Sequence, residues 1–118
     1  MKNKETKLEP LYEWDVPFVN GCFEGQTRPI KIYGTDETMN HEDSLKWAED
    51  RNMRLMTKEE LHLLCACGLL KGGMTSFWSA SVVSNNRYGA WIFNGYIGSI
   101  NNFWRFNSGY GAVRCLGR

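Results

Sequence analysis

The sequence predicts an α+β domain, and three observations carry that prediction. Two helical segments with capping signals lie in the first half, a period-two alternation of apolar and polar residues takes over from Phe77, and every carboxylate precedes the changeover. Helices first and a meander of short strands later argue for an α+β domain. A length of 118 residues is one domain's worth, and a chain of this size buries roughly two-thirds of its unfolded surface, enough for one core. Hydrophobic content of 42% with 14% aromatics separates it from disordered chains.

Taken in order, residues 1 to about 10 read as a solvated tail. The stretch "LYEWDVPFVNGCFEG" (11–25) reads as an irregular or edge strand with Pro17 and an Asn20-Gly21 turn. "PIKIYG" is a short strand ended by Gly34. The organisation is therefore a tail and edge strand over 1–29 and the domain proper over 30–118, one domain overall. Asn40 can cap a helix over "HEDSLKWAEDRN", with Glu42 and Asp43 in the first turn where the helix dipole favours acids. Leu45 and Ala48 supply its apolar face, with Trp47 on the flank. "MRLM" is a brief apolar link. Thr57-Lys58-Glu59-Glu60 is a capping box for a second helix whose buried stripe is Leu61, Leu64 and Cys65 and whose stop is Gly68. The predicted helices span 41–51 and 58–67.

Beyond them, "FWSAS", "AWIFN", "YIGSI", "FWRF" and "AVRCL" are strand candidates separated by Asn, Gly and Ser. Asn94-Gly95 is a two-residue hairpin signal. Trp78 and Trp91 read as core, as do Val113 and Cys115, which share one side of the last strand. Ile92 and Phe93 point to opposite faces, so one of them is expected to be less buried.

Charge narrows the function. All 13 acids fall between Glu5 and Glu60, and the remainder of the chain carries only Lys71, Arg87, Arg105, Arg114 and Arg118. No carboxylate-dependent site can be built from the second half alone. A net charge of +1 implies no strong attraction to nucleic acid or membrane. The charged start "MKNKETKLEP" and the lack of any run near the ~20 apolar residues of a spanning helix predict no signal peptide, no membrane insertion and a chain made in the cytoplasm. In that compartment Cys22, Cys65, Cys67 and Cys115 are expected to be reduced, as structural thiols. Cys65 and Cys67 lie too close for the usual zinc-ligand gap. His41 and His62 have no acid or nucleophile at a useful spacing and read as surface or helix-end histidines.

"NGYIGSINNFWRFN" (94–107) is harder to place. In a strand, Phe103 and Arg105 share one face while Trp104 and Phe106 share the other, so not all the aromatics can be core. Either one pair fills the core and the rest cover a sheet edge, or the exposed set is a contact surface. Single-stranded nucleic-acid binding also uses aromatics with arginine, but five basic residues across the whole second half are few for it.

The order "RLMTKEEL", "FWSAS", "AWIFNGYIGSI" and "VRCLGR" resembles a bacterial and phage branch of the C-type lectin-like fold, whose motifs run R-L-P-T-x-x-E-L, W-S-S-S, A-W-x-V-x-F-x-x-G and Y-x-V-R-C. The likeness covers roughly residues 38–118. Met56 stands in the usual proline position and "GYGAVRC" replaces the tighter terminal motif. The resemblance implies two helices packed on a twisted antiparallel sheet whose late strands and loops display a ligand-binding surface. It also implies a non-enzymatic binding module that takes a protein or glycan ligand, such as a phage receptor-binding protein carried in a virion or the variable protein of a diversity-generating retroelement. An intracellular phage protein that binds and inhibits a host protein is the alternative.

Two relatives with sharper chemistry are set aside. Calcium-dependent lectins need late carboxylates, which this chain lacks; formylglycine-generating enzymes use a cysteine pair, whereas Cys115 here sits in a terminal-strand motif common in the non-enzymatic branch and Cys65 and Cys67 fall on or just after a helix. The sequence thus predicts no metal, no cofactor and no catalytic residue. The ligand surface is expected at Asn86, Tyr88, Tyr96, Ser99, Asn101, Asn102, Arg105, Asn107 and Tyr110, accessible and grouped on one side. Tyrosine, asparagine and serine are the residues with which antibody loops combine rigid contact area and adaptable hydrogen bonds.

Overall fold

The computed structural model describes residues 8–19 and 21–117; the start of the predicted tail, Asn20 of the predicted turn and Arg118 lie outside them. Among the described residues, two helices and seven short strands follow in the order β1 (Tyr12–Trp14), β2 (Ile30–Thr35), α1 (His41–Asp50), β3 (Met53–Leu55), α2 (Lys58–Ala66), β4 (Phe77–Val83), β5 (Asn86–Asn94), β6 (Ser99–Trp104) and β7 (Val113–Gly117). No helix among the described residues is long and apolar enough to cross a membrane.

Both helices start and stop where local chemistry directs. Asn40 Oδ1 accepts from Asp43 N at the head of α1, and Asn52 closes the helix in the left-handed region at φ 58°. The capping box of α2 is formed in both directions, Glu60 N donating to Thr57 Oγ1 and Thr57 N to Glu60 Oε1. Its end is a Schellman motif, with Gly68 N on Cys65 O, Leu69 N on Leu64 O and Gly68 at φ 78°. The buried side of α1, however, is His41, Ser44 and Ala48. Leu45, expected inside, is 38% exposed, because the sheet meets α1 one residue away from the face its apolar residues suggested.

The strands form two antiparallel sheets, ordered β1-β2-β7-β3 and β4-β5-β6, where one was expected. The reason lies in β7. It pairs with β2 on one side (Ile32 with Leu116) and with β3 on the other (Leu55 with Cys115). Both its edges are used, and an isolated bridge between Phe77 and Ala112, the residue just before β7, links the two sheets. The first three residues of the link "MRLM" are thereby a strand. β7 is buried on both faces, Arg114 included. That guanidinium pairs with Asp36 and donates to the carbonyls of Thr35 and Val113. Gly34 is required opposite it, since a Cβ there would overlap the Val113 carbonyl oxygen.

"YIGSI" and "FWRF" are not separate strands. They share β6, and the hairpin turn is the four residues Gly95–Gly98 in place of a two-residue Asn94-Gly95 turn. The second sheet is covered on both faces. Phe77 and Phe93 enter a cluster with Phe23, Ile30, Met56, Leu61, Leu64 and Leu116. Their neighbours Trp78 and Ile92 enter another with Ala48, Leu55, Val113 and Cys115. Ile92 and Phe93 are therefore both fully buried, against the expectation that one would be less buried. Trp91 is only half-buried, lying under the Lys58 ammonium 4.2 Å from its ring centre.

The segment before β2 is part of the core as well as an edge. β1 pairs with β2, Val16 and Phe23 are buried in the first cluster, and the Phe23 backbone, left-handed at φ 60°, is held by its N–H donating to Glu60 Oε2. Glu60 also takes both terminal nitrogens' reach of Arg54, at 3.0 and 2.9 Å. One carboxylate thus ties the 21–26 loop, β3 and α2 together.

Candidate ligand-binding surface

The end of the β5–β6 hairpin is built from backbone contacts between loops. Gly98 N donates to Asn94 O across the turn and Gly73 N donates to Gly95 O. Gly95 N donates to Ser76 Oγ at 2.8 Å. A Cβ on Gly95 would overlap the Met74 carbonyl, and one on Gly98 would press on Gly72 N. Two glycine-bearing loops can therefore approach to backbone distance. Beside this seam opens a cleft of about 440 Å³, lined by Gly73–Ser76, Gly95, Tyr96, Gly109 and Tyr110.

Tyr96 is 84% exposed and lies nearly parallel to Tyr110, ring centres 6.1 Å apart and planes 17° apart. The Tyr110 ring leans on Phe103 at 4.8 Å, and its hydroxyl donates to Asn94 Oδ1 at 2.8 Å. Tyr96 N donates to the same oxygen at 2.9 Å, and Asn94 Nδ2 donates to Asn101 Oδ1 at 3.1 Å. Asn94, read from sequence only as a turn residue, is thus the organiser of the aromatic pair. Its signal was an Asn directly before Gly and Tyr, which favours a side chain folded back on the next amides.

The nine expected residues do not form one group. Tyr96, Asn101 and Tyr110 belong to the cleft network, with Ser99 half-buried opposite Asn94. Asn107 is half-buried and shapes the adjoining loop by accepting from Gly109 N at 2.8 Å. Asn102 is exposed on the opposite face of β6, opposite Trp91. The expectation of a single side fails because Asn101 and Asn102 are consecutive in a strand and must diverge. Asn86 and Tyr88 lie at the far end of the hairpin, where Asn86 Oδ1 accepts from Tyr88 N. Arg105 is half-buried, its guanidinium 5.0 Å from the Phe106 ring centre. Trp104 and Phe106, left out of the expected site, are 59% and 41% exposed.

His41, read as a surface or helix-end histidine, is the first residue of α1 but is buried there. Its Nε2 lies 2.9 Å from Ser79 O and its ring meets Trp78 edge-on; a carbonyl partner makes Nε2 the protonated nitrogen. Burial holds its pKa below the ordinary value of 6.5, Arg105 adding to the effect while the Ser79 bond opposes it. All four cysteines are free. Burial pushes the Cys115 thiol up to about 12 and raises Cys22 and Cys65 as well. Cys65, expected in the buried stripe, is half-buried, and Cys67 is exposed. Among the described residues no cluster of His, Cys, Asp and Glu could hold a metal ion. The cleft instead offers aromatic faces, hydroxyls and backbone groups from Thr75, Ser76, Tyr96 and Tyr110, the equipment for binding by stacking and neutral hydrogen bonds.

Comparison with protein-family models, with curated proteins and with solved structures finds no match for this chain.

Proposed function

We propose that this protein is a non-enzymatic binding module that takes a protein or glycan ligand in the cleft beside Tyr96 and Tyr110, in the manner of the phage receptor-binding and retroelement-variable proteins its motifs resemble. The observation that carries the reading is the tyrosine pair itself. A ring 84% exposed and yet held in place, through its own amide and through Tyr110, by one asparagine is aromatic area kept ready for a partner. Contacts fixed before binding lose less side-chain entropy when the ligand arrives. Exposed aromatic area of this kind marks interaction surfaces, and tyrosine is enriched among residues that dominate binding energy.

The test is to screen the whole chain against an immobilised glycan panel and a panel of displayed proteins, then to repeat the positive case with Tyr96→Ala. Loss of about 2 kcal/mol or more of binding, with the melting temperature nearly unchanged, is the expected result. Unfolding of the variant, or undiminished binding, would remove the tyrosine pair from the reading.

A further inference from the structure

We propose that Tyr88, Trp104 and Phe106, with Arg87 and Arg105, form a second docking surface for an acidic segment of a partner protein that carries an aromatic or long aliphatic side chain beside its carboxylates. None of these residues lines the tyrosine cleft, so the surface is separate from the site proposed above.

Three apolar rings meet solvent here. Trp104 is 59%, Tyr88 49% and Phe106 41% exposed, and Phe106 packs against both others, at 5.5 Å from Trp104 and 6.4 Å from Tyr88. The backbone fixes the cluster: Arg105 N donates to Tyr88 O and Asn107 N to Trp104 O. Gly89, directly across the ladder from Trp104, places no side chain against the indole.

Two guanidinium groups lie beside the rings. The Arg87 guanidinium sits 5.1 Å from the Tyr88 ring centre and donates to its hydroxyl, and Arg105 lies over Phe106. Among the described residues the ion pairs are Lys46–Asp50, Arg54–Glu60 and Arg114–Asp36, so neither arginine of the patch has a carboxylate partner. β5 and β6 supply none, since the chain has no acid after Glu60, and Glu42 and Asp43, in the first turn of α1 where His41 N donates to Arg105 O, pair with neither arginine. Arg105 Nε is also buried without a hydrogen-bond partner. A carboxylate arriving beside this guanidinium would supply the charge that the surface lacks, and a planar guanidinium can bind a carboxylate through two parallel hydrogen bonds.

The rings favour a protein segment over a single-stranded nucleic acid. Phe106 is tilted by 66° to Trp104 and by 53° to Tyr88, so the rings present angled faces and not a row of parallel platforms. Successive bases would need stacking platforms along a basic groove, and two arginines are few for phosphate binding.

The experiment selects displayed random short peptides on the whole chain, then measures a selected peptide by fluorescence polarisation. Asp and Glu flanking Trp, Phe or Leu should be enriched, and replacing the acids by their amides should weaken binding about tenfold or more. Arg87→Ala and Trp104→Ala, both at exposed positions, should each lose binding by about tenfold while melting as the unmodified protein does. Tyr96→Ala should bind the peptide normally, so this surface and the cleft can fail independently. Selection without acidic enrichment, or binding that survives both variants, overturns the proposal. Tighter binding of single-stranded oligothymidine, competing with the peptide, overturns it in favour of nucleic acid.

Discussion

At the scale of single residues, two buried groups, Glu60 and His41, make stability depend on pH, and both act in the same direction. Glu60 is buried, which by itself raises a carboxyl pKa, but the hydrogen bonds from Arg54, Thr57 and Phe23 outweigh burial and hold it below 4.5. A carboxylate with a lowered folded pKa stabilises the fold above its unfolded value, and that stabilisation is lost as pH falls. His41 is also lowered, from 6.5. The unfolded chain takes up a proton there before the folded chain does, so stability falls as pH drops below 6.5. Denaturant midpoints should therefore decline first below 6.5 and again below 4.5. His41→Gln keeps a donor for Ser79 O and cannot titrate. It should flatten the first decline and leave the second, and a first decline that persists in this variant would assign it to another group. Glu60→Gln should cost about 3 kcal/mol, because removing one partner of a buried pair leaves the other uncompensated. Urea unfolding at neutral pH measures it.

At the scale of elements, what was legible in the sequence was what local chemistry decides. The caps of α1 and α2 depend on residues three or four apart, so Asn40, Thr57 with Glu60, and Gly68 announced both helices close to their observed bounds. β3 carried no such signal. Three residues show no alternation, and Met53–Leu55 is a strand only because distant β7 pairs with it. The Asn94-Gly95 turn was overridden in the same way, by loop 71–75 pressing against Gly95 and Gly98. The candidate site followed suit. The exposure of Tyr96 could be read from composition, whereas the division of Asn101 from Asn102, the role of Asn94 and the burial of His41 depend on register and on which helix covers which face. Local and long-range determinants can be separated by mutation. Thr57→Ala should cost about 1 kcal/mol, the loss of one cap. Gly34→Ala should cost about 3 kcal/mol or more, since an added methyl cannot fit against the Val113 carbonyl without separating β2 from β7. Chemical denaturation of the two variants, side by side, checks the ordering; equal costs would mean that β2 and β7 move apart easily.

At the scale of the whole molecule, the arrangement of the two apolar clusters decides whether they unfold together. α2 closes the first cluster through Leu61 and Leu64, and α1 closes the second through Ala48. Between them run strands that contribute to both: Phe77 and Trp78 are adjacent on β4, Ile92 and Phe93 on β5, and Cys115 and Leu116 on β7, with one member of each pair in each cluster. A strand cannot leave one cluster and remain in the other, because consecutive side chains are fixed to opposite faces by the same backbone. Trp78 adds a hydrogen bond from Nε1 to Met39 O, which anchors the approach to α1. Loss of either cluster therefore removes the support of the other, and the protein should unfold in one transition. Tryptophan fluorescence and far-ultraviolet circular dichroism should give coincident urea curves. Phe77→Ala and Trp78→Ala, which empty opposite clusters, should each lower stability by about 3–5 kcal/mol, with the slope of the transition unchanged in both. A biphasic curve in either variant, with one helix lost before the other, would show that the clusters are separate units and that the shared strands do not couple them.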